Sequence, residues 1–236
     1  MSRPGPTPGL VARYLRQRGE LAGAELFLGE LDRDEALSLA STREAPKTRT
    51  AGSGSYDSAR DEALACQRCA LARTRRNVVF SDGHPQARVM VVGEAPGAQE
   101  DATGFAFVGP AGKLLDLLLA SVDLSREVSA YICNVLKCRP PGNRNPLPEE
   151  IQECTPFLRR QIELISPEVI LAVGTFSAQF LTGKALPLGR LRGEVYSYQG
   201  VPVVVTYHPA ALLRNSGWTQ ATWDDLQLLR QVMDGA

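Results

Sequence analysis

The chain predicts an α/β protein, a three-layer α/β/α domain with a central, mainly parallel four-stranded sheet, and two observations lead there. From residue 62 onward, apolar runs of strand length alternate with amphipathic stretches of helix length. Within those runs the apolar residues are consecutive, which marks strands buried on both faces under two helical layers. In folds of this kind ligands bind beyond the C-terminal ends of the strands, so the residues that follow each run carry the functional question.

The four strands are expected at 88–93, 130–136, 169–174 and 201–206, the first of them a largely β-branched run. Helices are expected at 111–122, 148–165, 175–182 and 223–234. The second of these has the clearest start: Pro148 fits a first helical turn, and Glu149 and Glu150 lie where the helix dipole is positive. Upstream, residues 8–40 read as helix with irregular leucine spacing, interrupted at Gly19 and Gly29, and 42–55 are small, polar and aperiodic. That is linker composition. The chain therefore divides into an N-terminal extension and flexible linker at 1–60, which tethers or docks a protein partner, and the α/β domain at 61–236.

Composition removes several classes of function. At 236 residues, with 44% hydrophobic and 22% charged, the chain can build one full domain with an appendage. No apolar run approaches the roughly 18 residues of a membrane helix, and the first residues lack the apolar core of a signal peptide, so a cytoplasmic protein without a membrane partner is expected. In that reducing compartment the five cysteines speak against a disulfide framework. A net charge of zero leaves nucleic-acid binding to local patches.

Four of those cysteines, Cys66, Cys69, Cys138 and Cys154, fall in two clusters around the first strand. Cys66 and Cys69 form a C-x-x-C pair that can reach one centre, and the other two complete a soft, thiophilic donor set suited to tetrahedral zinc or an iron–sulfur cluster. Fifteen residues separate Cys138 from Cys154, one in a loop and one in a helix, and that spread favours a cluster over the paired C-x-x-C of structural zinc.

Three strand ends carry chemistry. The first runs into Gly93-Glu94-Ala95-Pro96-Gly97-Ala98-Gln99-Glu100-Asp101, where glycines allow close backbone approach and carboxylates gather. The second ends at Asn134, whose amide inside an apolar strand needs a partner. The fourth ends at His208, a candidate for catalysis by its position. Two other motifs fail. Gly109-Pro110-Ala111-Gly112-Lys113-Leu114 lacks the Ser or Thr and the first glycine of a P-loop. Gly174-Thr175-Phe176-Ser177-Ala178 breaks the G-x-S-x-G spacing of a nucleophile elbow.

Taken together, C-x-x-C, G-E-A-P-G-x-x-E-D, T-G-x-x-F-V-G-x-A-G at 103–112, N-x-x-K-C-R-P-P, a cysteine in the next helix and H-P-A-x-L-L-R resemble the family 4 uracil-DNA glycosylases, which carry a [4Fe-4S] cluster. The resemblance covers the chain from about Cys66 onward and leaves the extension unexplained. It implies a monofunctional, monomeric enzyme that flips uracil out of uracil-containing DNA and hydrolyses the N-glycosidic bond, initiating base excision repair. It also implies Cys66, Cys69, Cys138 and Cys154 as cluster ligands, with Cys133 a core thiol.

The residue chemistry agrees with those roles. A glycosylase needs an aromatic platform, an edge reader and a stabiliser for the departing base. Phe107 matches the family's stacking ring, and Asn134 can read uracil at N3 and O4. Backbone N–H groups around Glu94 and Ala95, with His208, can meet charge developing on O2. Ala95 stands where the family 1 enzymes place an Asp, so water activation falls to Glu100 or to no residue. For DNA, Arg73, Arg75, Arg76, Lys137, Arg139, Arg144 and Arg214 are candidate phosphate contacts, and one of Leu212, Leu213 and Arg214 is expected to fill the gap left by the flipped base. Two other readings stand beside this one, an electron-transfer or redox-sensing iron–sulfur protein and a non-catalytic DNA-binding module. The covalent-trapping variant of the family is not expected, because 139–147 contain no His.

Overall fold

A computed structural model describes residues 53–235. The strands are β1 (Asp82–Gly83), β2 (Val89–Gly93), β3 (Ala130–Asn134), β4 (Val169–Val173), β5 (Val195–Tyr198) and β6 (Val201–Thr206). They form one six-stranded sheet in the order β1-β3-β2-β4-β6-β5. The four strands expected from the sequence are the four central ones, and all their pairings are parallel. Two antiparallel edge strands extend that expectation: β1 is only two residues long, and β5 alternates between exposed and half-buried positions.

The helices are α1 (Ser53–Leu64), α2 (Ala98–Thr103), α3 (Pro110–Ala120), α4 (Pro148–Ile165), α5 (Thr175–Thr182), α6 (Leu188–Leu191), α7 (Pro209–Leu212) and α8 (Thr219–Asp234). Every residue of β2, β3 and β4 is buried, and the two-residue repeat of a strand sorts them between two layers. Val89, Val91, Ile132, Leu171 and Val204 pack with Leu115 and Leu119 of α3 and Leu226 and Leu229 of α8. Met90, Val92, Tyr131, Ile170 and Val203 pack with Leu158 and Ile162 of α4 and Ala178 and Leu181 of α5. The consecutive apolar runs follow from this: both faces of each strand are core.

Helix α4 starts as its sequence predicts. Pro148 occupies the first turn, and Glu150 Oε2 accepts the N–H of Leu147 at 2.9 Å. Arg144 donates to the buried Glu150 carboxylate through Nη1 and Nη2, at 2.9 and 2.5 Å, which holds that carboxyl below its usual range. Helix α1 crosses the boundary expected at residue 60, and its Ala59 and Ala63 join Leu71, Phe80, Leu136 and Phe157 in a third core cluster. The helix expected at 8–40 and most of the expected linker lie outside the described residues. Among the described residues no helix is long and apolar enough to cross a membrane.

From β2 the chain moves through α2 and α3 to β3 on one side, and later from β4 through α5 and α6 to β5 and β6 on the other. The loops leaving β2 and β4 therefore diverge, which opens a crevice between their C-terminal ends.

Candidate active site and thiol cradle

That crevice is a cavity of about 760 Å³, lined at its base by Glu94, Phe107, Asn134, Gly174 and His208. It brings together the ends of β2, β3, β4 and β6 with the loop before α3. Glycine makes the convergence feasible. A Cβ on Gly93 would stand 2.4 Å from Asn134 Oδ1 and 2.7 Å from Phe107 Cζ, so the end of β2 must be bare for the amide and the ring to sit beside it.

Asn134 is 2% exposed, and its Oδ1 is buried without a hydrogen-bond partner among the described residues. A buried acceptor left unpaired costs roughly 1–3 kcal/mol, so the position calls for a ligand donor. Phe107 holds a left-handed backbone at φ 54, unfavourable for a bulky residue. Its carbonyl lies where a Cβ on Gly112 would be 1.7 Å away, and Arg126 donates to that carbonyl and to Ala106 O, each at 2.8 Å. Arg126 is in turn fixed by Asp82 and Asp116. The ring stacks on the His208 imidazole, with centroids 5.5 Å apart and planes tilted by 30°.

His208 is the N-cap of α7, and its Nδ1 accepts the N–H of Ala210 at 3.1 Å. Accepting there requires Nδ1 to be unprotonated, so the neutral ring carries its proton on Nε2. Burial, together with the charge of Arg214, lowers its pKa to about 4, against the opposing pull of Glu100. At neutral pH His208 is an uncharged N–H donor. Glu94 is half-buried, and desolvation pushes its carboxyl up. Glu100 lines the cavity while bracing it: Oε1 accepts from Val108 and Gly109 at 3.0 and 2.9 Å, and Oε2 from Gly97 at 3.1 Å. Three backbone N–H groups thus tie the β2 loop to the Phe107 loop through one carboxylate.

Beyond His208 the two leucines separate. Leu212 is 6% exposed and packs beneath the loop, whereas Leu213 is 55% exposed beside Arg214.

The four cysteines Cys66, Cys69, Cys138 and Cys154 line one small cavity below β3 and α4. Two sulfurs accept hydrogen bonds at 3.2 Å: Cys138 from Arg75 Nη1, and Cys154 from the N–H of Lys137. Burial pushes the Cys138 and Cys154 thiols up, the latter to about 11, while Arg75 and Lys137 oppose it. An all-thiol set with donors aimed at its sulfurs fits a thiophilic centre. Among the described residues no group of three or more His, Cys, Asp or Glu is placed to hold a metal ion. Cys133, a fully buried residue of β3 itself, does not line this cavity.

Two candidate phosphate contacts, Lys137 and Arg75, are engaged within the domain instead. Lys137 is 2% exposed and donates through Nζ to Asn134 O at 2.6 Å and to Gln161 Oε1 at 2.5 Å. Gln161 continues to Phe80 O and to the Tyr131 hydroxyl. This ammonium braces the peptide of the proposed edge reader and does not face solvent. Arg75 is also engaged inside, donating to Cys66 O as well as Cys138 Sγ. Sequence reasoning passes over Arg126 and names Gly93 and Gly112 only within their motifs; all three act through the shape of the loops.

Fold and site define an α/β protein with a pocket at the switch point of a parallel sheet, lined by an aromatic ring, a buried amide and a neutral imidazole together with the Glu94 and Glu100 side chains. The sequence profile of the Uracil DNA glycosylase superfamily matches residues 80–227. The type-4 uracil-DNA glycosylase of Archaeoglobus fulgidus is 46% identical over 160 residues, covering 64% of this chain and 80% of the relative. That of Thermotoga maritima is 47% identical over 152 residues, covering 64% and 79%, and that of Saccharolobus solfataricus 41% over 182 residues, covering 73% and 84%. The chain belongs to the type-4 uracil-DNA glycosylase family.

Proposed function

We propose that this chain excises uracil from DNA by hydrolysing the bond between base and sugar, once the nucleotide has rotated out of the stack into the cavity. The observation that carries the reading is the orphaned Oδ1 of Asn134 beside the Phe107 ring. Uracil supplies what that atom lacks, an N3–H donor, and offers O4 to the amide nitrogen; cytosine presents the opposite pattern on this edge. Phe107 provides the face for the base.

As the glycosidic bond lengthens, negative charge grows on the leaving base. The neutral His208 donates through Nε2–H to O2, aided by backbone N–H groups at Glu94 and Ala95, and such preorganised donors strengthen as charge develops. Glu100 keeps one of its roughly four lone-pair sites after its three backbone contacts, and that site orients the attacking water. No lysine lines the cavity among the described residues, and Lys137 is held beneath it, which supports a monofunctional hydrolase over an amine nucleophile. Leu213, with Arg214, enters the gap left in the duplex.

Cys66, Cys69, Cys138 and Cys154 would hold a [4Fe-4S] cluster, which when bound supplies iron–thiolate bonds that fasten three chain segments together. No step of the hydrolysis requires it. This reading makes the enzyme a cytoplasmic monomer acting in base excision repair, with residues 1–60 a tether or a docking segment for a protein partner. The deciding experiment is base release: purified protein with a uracil-containing oligonucleotide should yield free uracil and an abasic site, with no adduct trapped by borohydride. Full retention of uracil in the oligonucleotide after prolonged incubation would refute the activity, and a trapped adduct would refute the water mechanism.

A further inference from the structure

On the rim of the cavity, Tyr207 and Trp218 lie with centroids 4.7 Å apart and planes within 3°. The Arg192 guanidinium also stacks on Tyr207, 4.6 Å from its centroid. Arg192 is itself locked, by Asp225 Oδ2 at 2.7 Å and by the carbonyl of Ala221, with the Asp225 side chain only 2% exposed. The column is therefore anchored from inside the domain. Both rings line the cavity that holds His208, the residue after Tyr207, yet Trp218 remains 37% exposed. A large indole immobilised by stacking and left open to solvent has already lost the side-chain freedom that binding would otherwise remove.

We propose that Trp218 is a stacking platform for an unstacked DNA base flanking the uracil. This rests on the uracil-excision reading and deepens it, because a nucleotide seated in the cavity brings its neighbour on the strand to the rim. Base-on-aromatic stacking tolerates any sequence and needs an exposed, fixed ring, and Trp218 is both part-exposed and held by its stack on Tyr207. Single-stranded or locally opened DNA gains most, since its bases are free to leave their own stack.

The chain contains two tryptophans, so Trp223→Phe leaves Trp218 as the sole indole reporter. That variant is titrated with a single-stranded oligonucleotide carrying a cleavage-resistant 2′-fluoro deoxyuridine, while anisotropy of a dye on the DNA reports binding independently. Saturable quenching of the Trp218 emission is expected. A matched oligonucleotide with abasic spacers on both sides of the uracil should bind on the order of tenfold more weakly, with the quenching lost. In the otherwise native chain, Trp218→Ala should weaken binding by a similar factor and Trp218→Phe should restore most of it. Full binding without quenching, or equal quenching by both oligonucleotides, would overturn the platform. Release of uracil from ordinary substrate by the native protein separates the two failures: if uracil is released but Trp218 is silent, the platform alone falls.

Discussion

His208 has a testable signature because its environment, not its type, sets its charge. An ordinary imidazole titrates near 6.5, but this one is neutral down to about 4. If the neutral ring is the donor to O2, single-turnover excision should stay level as pH falls through 6.5 and decline only as it nears about 4. A decline centred near 6.5 would make the imidazole an ordinary exposed one. Stability follows the same linkage: the unfolded chain takes up this proton first, so the His208 contribution is complete above about 6.5 and shrinks as pH drops toward about 4. His208→Ala should slow cleavage by roughly ten- to a thousandfold, the scale of one preorganised donor, with affinity for uracil-containing DNA changing much less. At Asn134, substitution by Asp removes the donor to O4 and keeps an acceptor, so uracil excision should fall while relative preference shifts toward cytosine. Comparing release from matched uracil and cytosine oligonucleotides checks it, and an unchanged ratio would take Asn134 out of base reading.

Among the elements, the loop that presents Phe107 is where shape is imposed at a cost. Its left-handed backbone persists because Gly112 leaves space for the carbonyl and Arg126 grips two successive carbonyls between two carboxylates. Arg126→Met keeps the side-chain bulk and removes the grip. It should destabilise the fold by about 2–3 kcal/mol, as expected for lost charge-assisted hydrogen bonds to buried acceptors. Well below the melting temperature it should also lower kcat/KM on uracil DNA, although Arg126 does not line the cavity. Thermal melts together with excision kinetics separate the two effects; unchanged kinetics in the folded variant would show that Phe107 holds its place alone. Elements of this kind also mark the limit of what the sequence discloses. The central strands are legible because two-sided burial writes an unbroken apolar run, and α4 because Pro148 and Glu150 cap it. The edge strands are not: β1 is too short to carry a pattern, and Val195-Tyr196-Ser197-Tyr198 is half solvated.

Across the whole molecule, the residues at strand ends and the cysteine set are legible because chemistry restricts residue type there, whereas long cations are not. Lys137 and Arg75 read as surface charges, since solvation is the usual fate of a lysine or arginine. The burial of Lys137 and the half-buried place of Arg75 depend on acceptors from distant segments, Gln161 for one and Cys66 and Cys138 for the other. The same folding brings the thiol cradle and the pocket onto one strand: within five residues, β3 and its extension carry Asn134, Lys137 and Cys138.

This coupling predicts how cysteine substitutions should divide. Cys154 in α4 faces the shared cavity and receives the N–H of Lys137, whereas Cys133 points into the core beside Tyr131 and Leu158. If the cradle holds a four-iron cluster, Cys154→Ser should lose iron and with it the fastening between the C-x-x-C loop, β3 and α4, lowering the melting temperature. Excision at low temperature should fall less than stability, because the cluster takes no part in the bond-breaking step. Cys133→Ser should retain iron and lose at most about 1–3 kcal/mol for burying a hydroxyl in the core, since the Lys137 side chain that hydrogen-bonds the thiol can partner the hydroxyl. Iron analysis, the visible absorption of the purified variants and their melting curves settle the division. Equal iron in both variants, or zinc in place of iron in the native protein, would remove the cluster from the cradle while leaving the pocket and its chemistry intact.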